Sequence, residues 1–276
     1  MKWFVRIALG LLVVLVAAFL IFRTPDTDAD AMRAKYGGEP SQFVELDNGQ
    51  NIHLRDEGPR DAPVIILLHG ANSSLHTWDE WTERLSKDYR VIRFDQIGHG
   101  LTGPSHDGDY SKSSFVADVE AVAEHLKLGS FVLAGNSMGG WVATAFALEN
   151  PDQVAGLVLL NASGAPRNKE EERLYIGAKI AQTPVLNSLM TIITPRSLVR
   201  SSLEDAVADS SSITDQHVDR YWELLRYPGN RQAAVDRANT ERGGPFKAED
   251  IAKLAMPALI MWGDEDRVTP KSGDEC

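Results

Sequence analysis

The stretch that decides the fold is FVLAGNSMGGWVATAFALEN, residues 131–150. An apolar run from Phe131 reaches Gly-Asn-Ser-Met-Gly-Gly, and a second apolar stretch follows until Pro151 stops it. The first part suits a strand buried on both faces. The second is apolar nearly all round, as expected of a helix packed against a sheet. A serine between them sits on a tight strand-to-helix turn, where the backbone is strained and the helix packs close, so its neighbours must be small. Gly135 and Gly139 meet that need. Such a turn lifts the Ser137 hydroxyl out at the strand's C-terminal end, beside helix N-terminal amides that favour negative charge.

Continuous apolar runs recur outward from this point, at VIILLHG (64–70), RVIRFD (90–95), VAGLVLLN (154–161) and PALIMWG (257–263), and predict parallel strands. FVEL (43–46) and NIHLRDE (51–57) alternate like an antiparallel edge pair, with Asp47-Asn48-Gly49 as the turn. Helical stripes lie between the runs. Phe115, Val119, Val122 and Leu126 form one, and Trp78, Trp81 and Leu85 another, after a capping-box signature at Thr77 and Glu80. Strand and helix alternate, so the expected class is α/β with a mostly parallel sheet and helices on both faces. The alternation breaks after Gly164. Residues 165–256 show stripes such as LYIGAKIAQ (174–182) and HVDRYWELLRY (217–227) but no strand run, and predict a helical insertion over one end of the sheet.

WFVRIALGLLVVLVAAFLIF, Trp3 to Phe22, carries one charge. Its uninterrupted part, Ile7 to Phe22, is about one residue short of the roughly 17 usual for a spanning helix, and Arg6 and Arg23 can snorkel to extend it. Lys2 and Arg6 precede it and Asp26, Asp28 and Asp30 follow, which predicts a single-pass anchor with a cytoplasmic N-terminus and an extracytoplasmic body. The alternative is a cleaved signal peptide and a secreted body; its small-residue sites are poorly placed. Residues 1–23 are thus expected to contact a lipid bilayer through residues 3–22, with 24–42 as a linker. The net charge of −11 and the absence of a basic patch interleaved with aromatics argue against nucleic-acid binding. The single cysteine, Cys276, allows no intrachain disulfide.

Four motifs in order, LLHG (67–70), DQIGHG (95–100), GNSMGG (135–140) and WGDEDRVTP (262–270), make residues 43–270 similar to the α/β-hydrolase superfamily. The resemblance implies an α/β-hydrolase fold, with core segments at 43–164 and 257–276 and a helical cap at 165–256. It implies Ser137 as nucleophile, the Met138 and Ala71 amides as oxyanion donors, Gly135 and Gly139 as elbow glycines and Asp266 as the triad acid. Asp264 and Glu265 then read as turn residues, and Asp95 as fixing the loop that holds Gly98 and Gly100. Asn161 occupies the position where some relatives carry the acid. Epoxide hydrolases and haloalkane dehalogenases of the superfamily use aspartate at the elbow, so the implied chemistry is acyl transfer from a small carboxylic ester bound in an apolar pocket. Hydrolysis of carbon–carbon bonds in ring-cleavage products and ligand binding without catalysis are the alternatives. No cofactor and no metal are expected.

The family's histidine follows the acid, but none of the seven histidines follows Asp266. The ten remaining residues are too few for a crossover and a further parallel strand, which need about a dozen or more residues before that strand begins. The expectation is therefore a chain truncated before its triad histidine, impaired in catalysis, with ALIMW as an exposed sheet edge. His69 and His99 approach the site as loop residues. His53, His125 and His217 read as ordinary strand, helix and cap residues, and His76 and His106 as exposed loop residues.

Overall fold

The computed structural model of the chain describes residues 2–165, 183, 187–189, 191–240, 245–266, 268 and 269. The stripe expected at 174–182 lies outside the described residues. The N-terminal helix α1 (Lys2–Phe22) is followed by α2 (Ala29–Tyr36) and then by β1 (Ser41–Glu45), β2 (Asn51–Glu57) and β3 (Val64–Leu68). A 3-10 turn (Leu75–Trp78) leads into α3 (Asp79–Leu85) and β4 (Arg90–Phe94). Then come α4 (Lys112–His125), β5 (Phe131–Asn136), α5 (Met138–Glu149) and β6 (Val154–Leu160). The insertion contributes α6 (Arg196–Asp205), α7 (Asp215–Leu225), α8 (Asn230–Asn239) and α9 (Ala248–Ile251) before β7 (Ala258–Met261).

The strands form one sheet in the order β1-β2-β4-β3-β5-β6-β7. β2 pairs antiparallel with both β1 and β4, and the pairs from β4 through β7 are parallel. Each apolar run became a strand because its side chains are covered on two faces. On one face Phe115, Val119 and Val122 of α4 and Trp141, Val142 and Phe146 of α5 pack with Ile66, Leu68, Ile92 and Leu133. On the other, Trp78 and Leu85 meet Leu67, Val91 and Ala134. β7 differs: Leu259, Ile260 and Met261 are all exposed, as expected for the edge run.

The expected capping box is not formed. α3 starts two residues after Thr77, with Trp78 at its N-cap and no side-chain cap, and the Thr77 hydroxyl instead contacts Ser73 Oγ and, at 3.2 Å, the Tyr221 hydroxyl. His76 is another departure, being buried in the 3-10 turn rather than exposed. Residues 24–36, expected as part of a linker, lie against the insertion. Met32 of α2 is buried with Leu101, Leu224 and Tyr227, and Thr27 N–H donates to Arg226 O at 2.8 Å.

Asp118, on the inner side of α4, is 4% exposed; its Oδ1 accepts from Asn48 Nδ2 at 2.9 Å, while Oδ2 has no partner among the described residues. Burial pushes this carboxyl from its ordinary 3.8 up to about 7, against the Asn48 hydrogen bond. The folded chain thus holds a proton that the unfolded chain releases, so stability falls as pH rises from about 4 to about 7 and is level above that. Urea unfolding of the full chain in detergent should show this loss, on the order of 2–4 kcal/mol, and Asp118→Asn should flatten it.

Candidate active site

Ser137 is held between β5 and α5 with φ 51° and ψ −116°, a conformation that costs a non-glycine residue about 1–3 kcal/mol. The surroundings enforce it. Ser137 N–H donates to Leu160 O at 3.0 Å, and its carbonyl accepts from the amides of Gly140, Trp141 and Ser163 at 3.0, 3.2 and 2.9 Å. A Cβ on Gly135 would overlap the Gly139 carbonyl, and one on Gly139 would overlap the carbonyls of Leu68 and His69. The two elbow glycines are therefore required by close backbone approach. Met138 is buried at the first position of α5, so its amide belongs to the helix N-terminus beside the serine.

The loop after β3 lies on the other side. A Cβ on Gly70 would stand 3.3 Å from Ser137 Cβ, which brings the backbone leading into Ala71 against Ser137. Asn72 follows with φ 56°, and its Oδ1 accepts from Arg237 Nη2 at 2.8 Å. Arg237 is a buried residue of α8 that also donates to Gly98 O at 3.1 Å. Tyr221 of α7 reaches Ser73 Oγ at 3.0 Å. Neither Arg237 nor Tyr221 was singled out from the sequence; Tyr221 lies in the stripe read at 217–227, but no pattern pointed to Arg237 or to the loop that both grip.

Asp266 sits in the turn after β7. Its Oδ1 accepts from the amides of Val268 and Thr269 at 2.7 and 2.9 Å, and its Oδ2 takes a hydrogen bond from Asn161 Nδ2. Asn161 follows β6, the strand whose Leu160 carbonyl holds Ser137 N–H. The alternative acid position is thus filled by an amide that anchors the carboxylate.

Asp95 has the structural role expected of it. Its Oδ2 accepts from Leu101 N and lies against His53 Nδ1, both at 2.7 Å, and its Oδ1 accepts from Leu75 N at 2.7 Å. Burial opposes its charge most strongly, but His53, by charge and hydrogen bond, together with His69 and His76 holds the carboxyl well below the usual carboxylate range. His69 is buried between the Gly70 carbonyl, 2.8 Å from Nδ1, and the Gln96 amide, which donates to Nε2 at 3.0 Å. His99 Nδ1 donates to Ile97 O at 2.9 Å, leaving Nε2 as a buried acceptor without a partner among the described residues. Burial lowers the pKa of His69, and burial with Arg237 lowers that of His99 further, so both rings are neutral at neutral pH. His53 lies on β2, His125 near the end of α4, His106 in an exposed loop, and His217 in the first turn of α7, where its ring caps Thr214 N–H. Among the described residues no histidine hydrogen bonds to the Ser137 hydroxyl.

A small, open crevice lies between the insertion and these loops, lined by Asn72, His99, Leu224 and Asn230 among others. Its lining is partly polar and does not include Ser137, so it is not the apolar pocket expected from the sequence. Among the described residues no group of three or more His, Cys, Asp or Glu side chains is arranged to hold a metal ion.

A serine on a strained strand-to-helix turn, at the C-terminal ends of parallel strands and against a glycine loop, is the site arrangement of one hydrolase class. The family described as alpha/beta hydrolase fold matches residues 63–185. The 2-hydroxy-6-oxo-2,4-heptadienoate hydrolase of Pseudomonas putida is 27% identical over 82% of this chain and 79% of its own. The meta-cleavage product hydrolase of Pseudomonas fluorescens superposes with a TM-score of 0.72 at 26% identity, over 85% of this chain and 83% of its own. A membrane phospholipase A superposes with a TM-score of 0.68 at 24% identity, over 100% of this chain and 86% of its own. The chain has the α/β-hydrolase fold, and its sequence is similar to that superfamily.

Glycine accepts the Ser137 conformation without strain, so Ser137→Gly should be about 1 kcal/mol more stable than Ser137→Ala in thermal unfolding, after glycine's greater unfolded-state entropy is allowed for. Gly139→Ala should lose about 2–4 kcal/mol in the same assay, because the new methyl group meets backbone rather than a movable side chain.

Proposed function

We propose that Ser137 is the nucleophile of a serine hydrolase that transfers the acyl group of a small carboxylic ester to water. The observation that carries this reading is the strained Ser137 turn with the Gly70 backbone packed against it. In the proposed reaction Ser137 Oγ attacks the ester carbonyl, and the Met138 and Ala71 amides stabilise the oxyanion. Such a donor is typically worth about 2.7–4 kcal/mol of barrier, because it acts on charge that exists only after attack. Asp266 is the acid whose role is to orient a base, and the insertion is the cap over an apolar acyl pocket. α1 is proposed to anchor the chain in a membrane, with the N-terminus cytoplasmic and the body outside. It is twenty residues of high mean hydropathy from Trp3 to Phe22, and none of its described side chains is buried.

The base is the weak point of these 276 residues. In a well-studied serine protease, loss of the triad histidine costs about 2 × 10⁶ in turnover, roughly 9 kcal/mol of barrier. With no histidine among the described residues hydrogen-bonded to the Ser137 hydroxyl, this chain is proposed to acylate slowly. Two relatives favour a second reading, hydrolysis of a carbon–carbon bond in a ring-cleavage product, since one is named a meta-cleavage product hydrolase and the other a 2-hydroxy-6-oxo-2,4-heptadienoate hydrolase. A serine at the elbow is compatible with either reading.

Added imidazole offers a base without altering the chain. Fluorophosphonate labelling of the full chain should be slow, should accelerate with imidazole, and should vanish in Ser137→Ala. Rapid labelling without imidazole would show that a resident histidine serves as base, and none under either condition would remove Ser137 as a nucleophile. With imidazole present, turnover of nitrophenyl butyrate but not of 2-hydroxy-6-oxo-2,4-heptadienoate would favour the ester reading; the reverse would favour the second.

A further inference from the structure

Among the described residues of the insertion, the exposed large apolar side chains are Leu189 and Ile192. Ile192 N–H donates to Leu189 O at 3.0 Å and Ile193 N–H to the same carbonyl at 2.7 Å, so the two side chains lie three apart on one turn and face the same way. That turn is fastened to the end of α1. Ile192 O accepts from Thr24 N–H at 2.8 Å and from the Thr24 hydroxyl at 3.2 Å, and Thr194 N–H donates to Thr24 Oγ1 at 2.7 Å. Thr24 is two residues beyond the last residue of α1. Arg23 N–H still bonds to Phe19 O, so at about 1.5 Å per residue Thr24 lies only about 3 Å past the helix end.

The connection is stiff. Arg231 donates to Thr24 O at 2.8 Å and pairs with Asp26 at 2.7 Å, Arg226 donates to Pro25 O at 3.0 Å, and Thr27 N–H donates to Arg226 O at 2.8 Å. Wherever α1 leaves an apolar phase, the Leu189–Ile192 turn is held at the same depth. We propose that this turn is a second contact with the bilayer, with the side chains of Leu189 and Ile192 seated in the leaflet from which α1 emerges. The inference rests on the reading of α1 as a membrane anchor. Its occupant is lipid because both side chains are exposed and apolar and Ile192 is hydrogen-bonded to Thr24, two residues past Phe22, where the exposed apolar run of α1 ends. The insertion would then meet the membrane at two points, and its tilt would be set by both.

Site-directed labelling tests this on the full chain. In a Cys276→Ser background, Leu12→Cys, Leu189→Cys, Ile192→Cys and Leu259→Cys each take one NBD fluorophore, and each protein is placed as a single copy in a lipid nanodisc. Position 12 reports the anchor, and position 259, exposed on the edge strand β7, is the aqueous control. Lipids doxyl-labelled near the headgroup should quench positions 189 and 192 while leaving 259 bright, and iodide in the buffer should reach 259 but not 189 or 192. If 12 is buried in lipid but 189 and 192 behave like 259, the second contact is wrong and the anchor stands. An unburied position 12 would overturn the anchor and this inference together. Shielding of 189 and 192 from iodide without quenching by doxyl lipid would mean that protein covers the turn, as in contact with a second copy, and would also overturn the proposal.

Discussion

The structure depends on a close approach of backbones at one point. Without side chains at Gly135, Gly139 and Gly140, α5 comes into contact with β5, the end of β3 and the loop after β6, where Ala162 faces Gly140. These contacts leave the segment around Ser137 no room to relax. The serine keeps an unfavourable backbone conformation because its amide and carbonyl are both taken by fixed partners. Strain at this residue is therefore maintained by packing some distance around it, and an ordinary strand-to-helix connection would not need three glycines so close together.

A second constraint is the buried charge of Asp95. One carboxylate ties β2 through His53, the 3-10 turn through Leu75 N–H, and its own loop through Leu101 N–H, while Gly100 packs flat against it. Burying a charge is expensive, and such arrangements seldom add net stability over an apolar equivalent. What this one supplies is position. It sets the Gly98–Leu101 loop, on which the insertion then builds: Arg237 binds Gly98 O, and Asn230 Nδ2 donates to Gly100 O at 3.0 Å.

Local order was legible in the sequence because its causes are local. The apolar runs became strands β3 to β7, the stripe from Phe115 became α4, and the spacing of small residues around Ser137 revealed the turn, since strain and close packing limit which residues fit. Asp95 was read correctly from the glycines that follow it. Thr77 was misread because capping depends on where the helix starts, and a 3-10 turn moved that start by one residue, from 78 to 79. His76 was expected in solvent, yet it is buried next to Asp79 of α3, 3.7 Å away. The docking of residues 24–36 joins positions far apart in the chain, as when Lys35 and Tyr36 both reach Glu223. No local pattern encodes such a pairing.

α7 brings these distant partners together. Glu223 receives Lys35 and Tyr36 from the segment after α1, while Tyr221 reaches Ser73 and Arg220 pairs with Asp79 at 3.1 Å. One helix of the insertion thus grips both the N-terminal segment and the loop that runs from Gly70 past Ser137. Contiguity of this kind is not in itself allostery, which requires two arrangements of an element and a ligand that distinguishes them. It does fix a geometric relation. The end of α1, the described helices of the insertion and the loop beside Ser137 are tied together, so an orientation imposed on α1 is imposed on the candidate site as well.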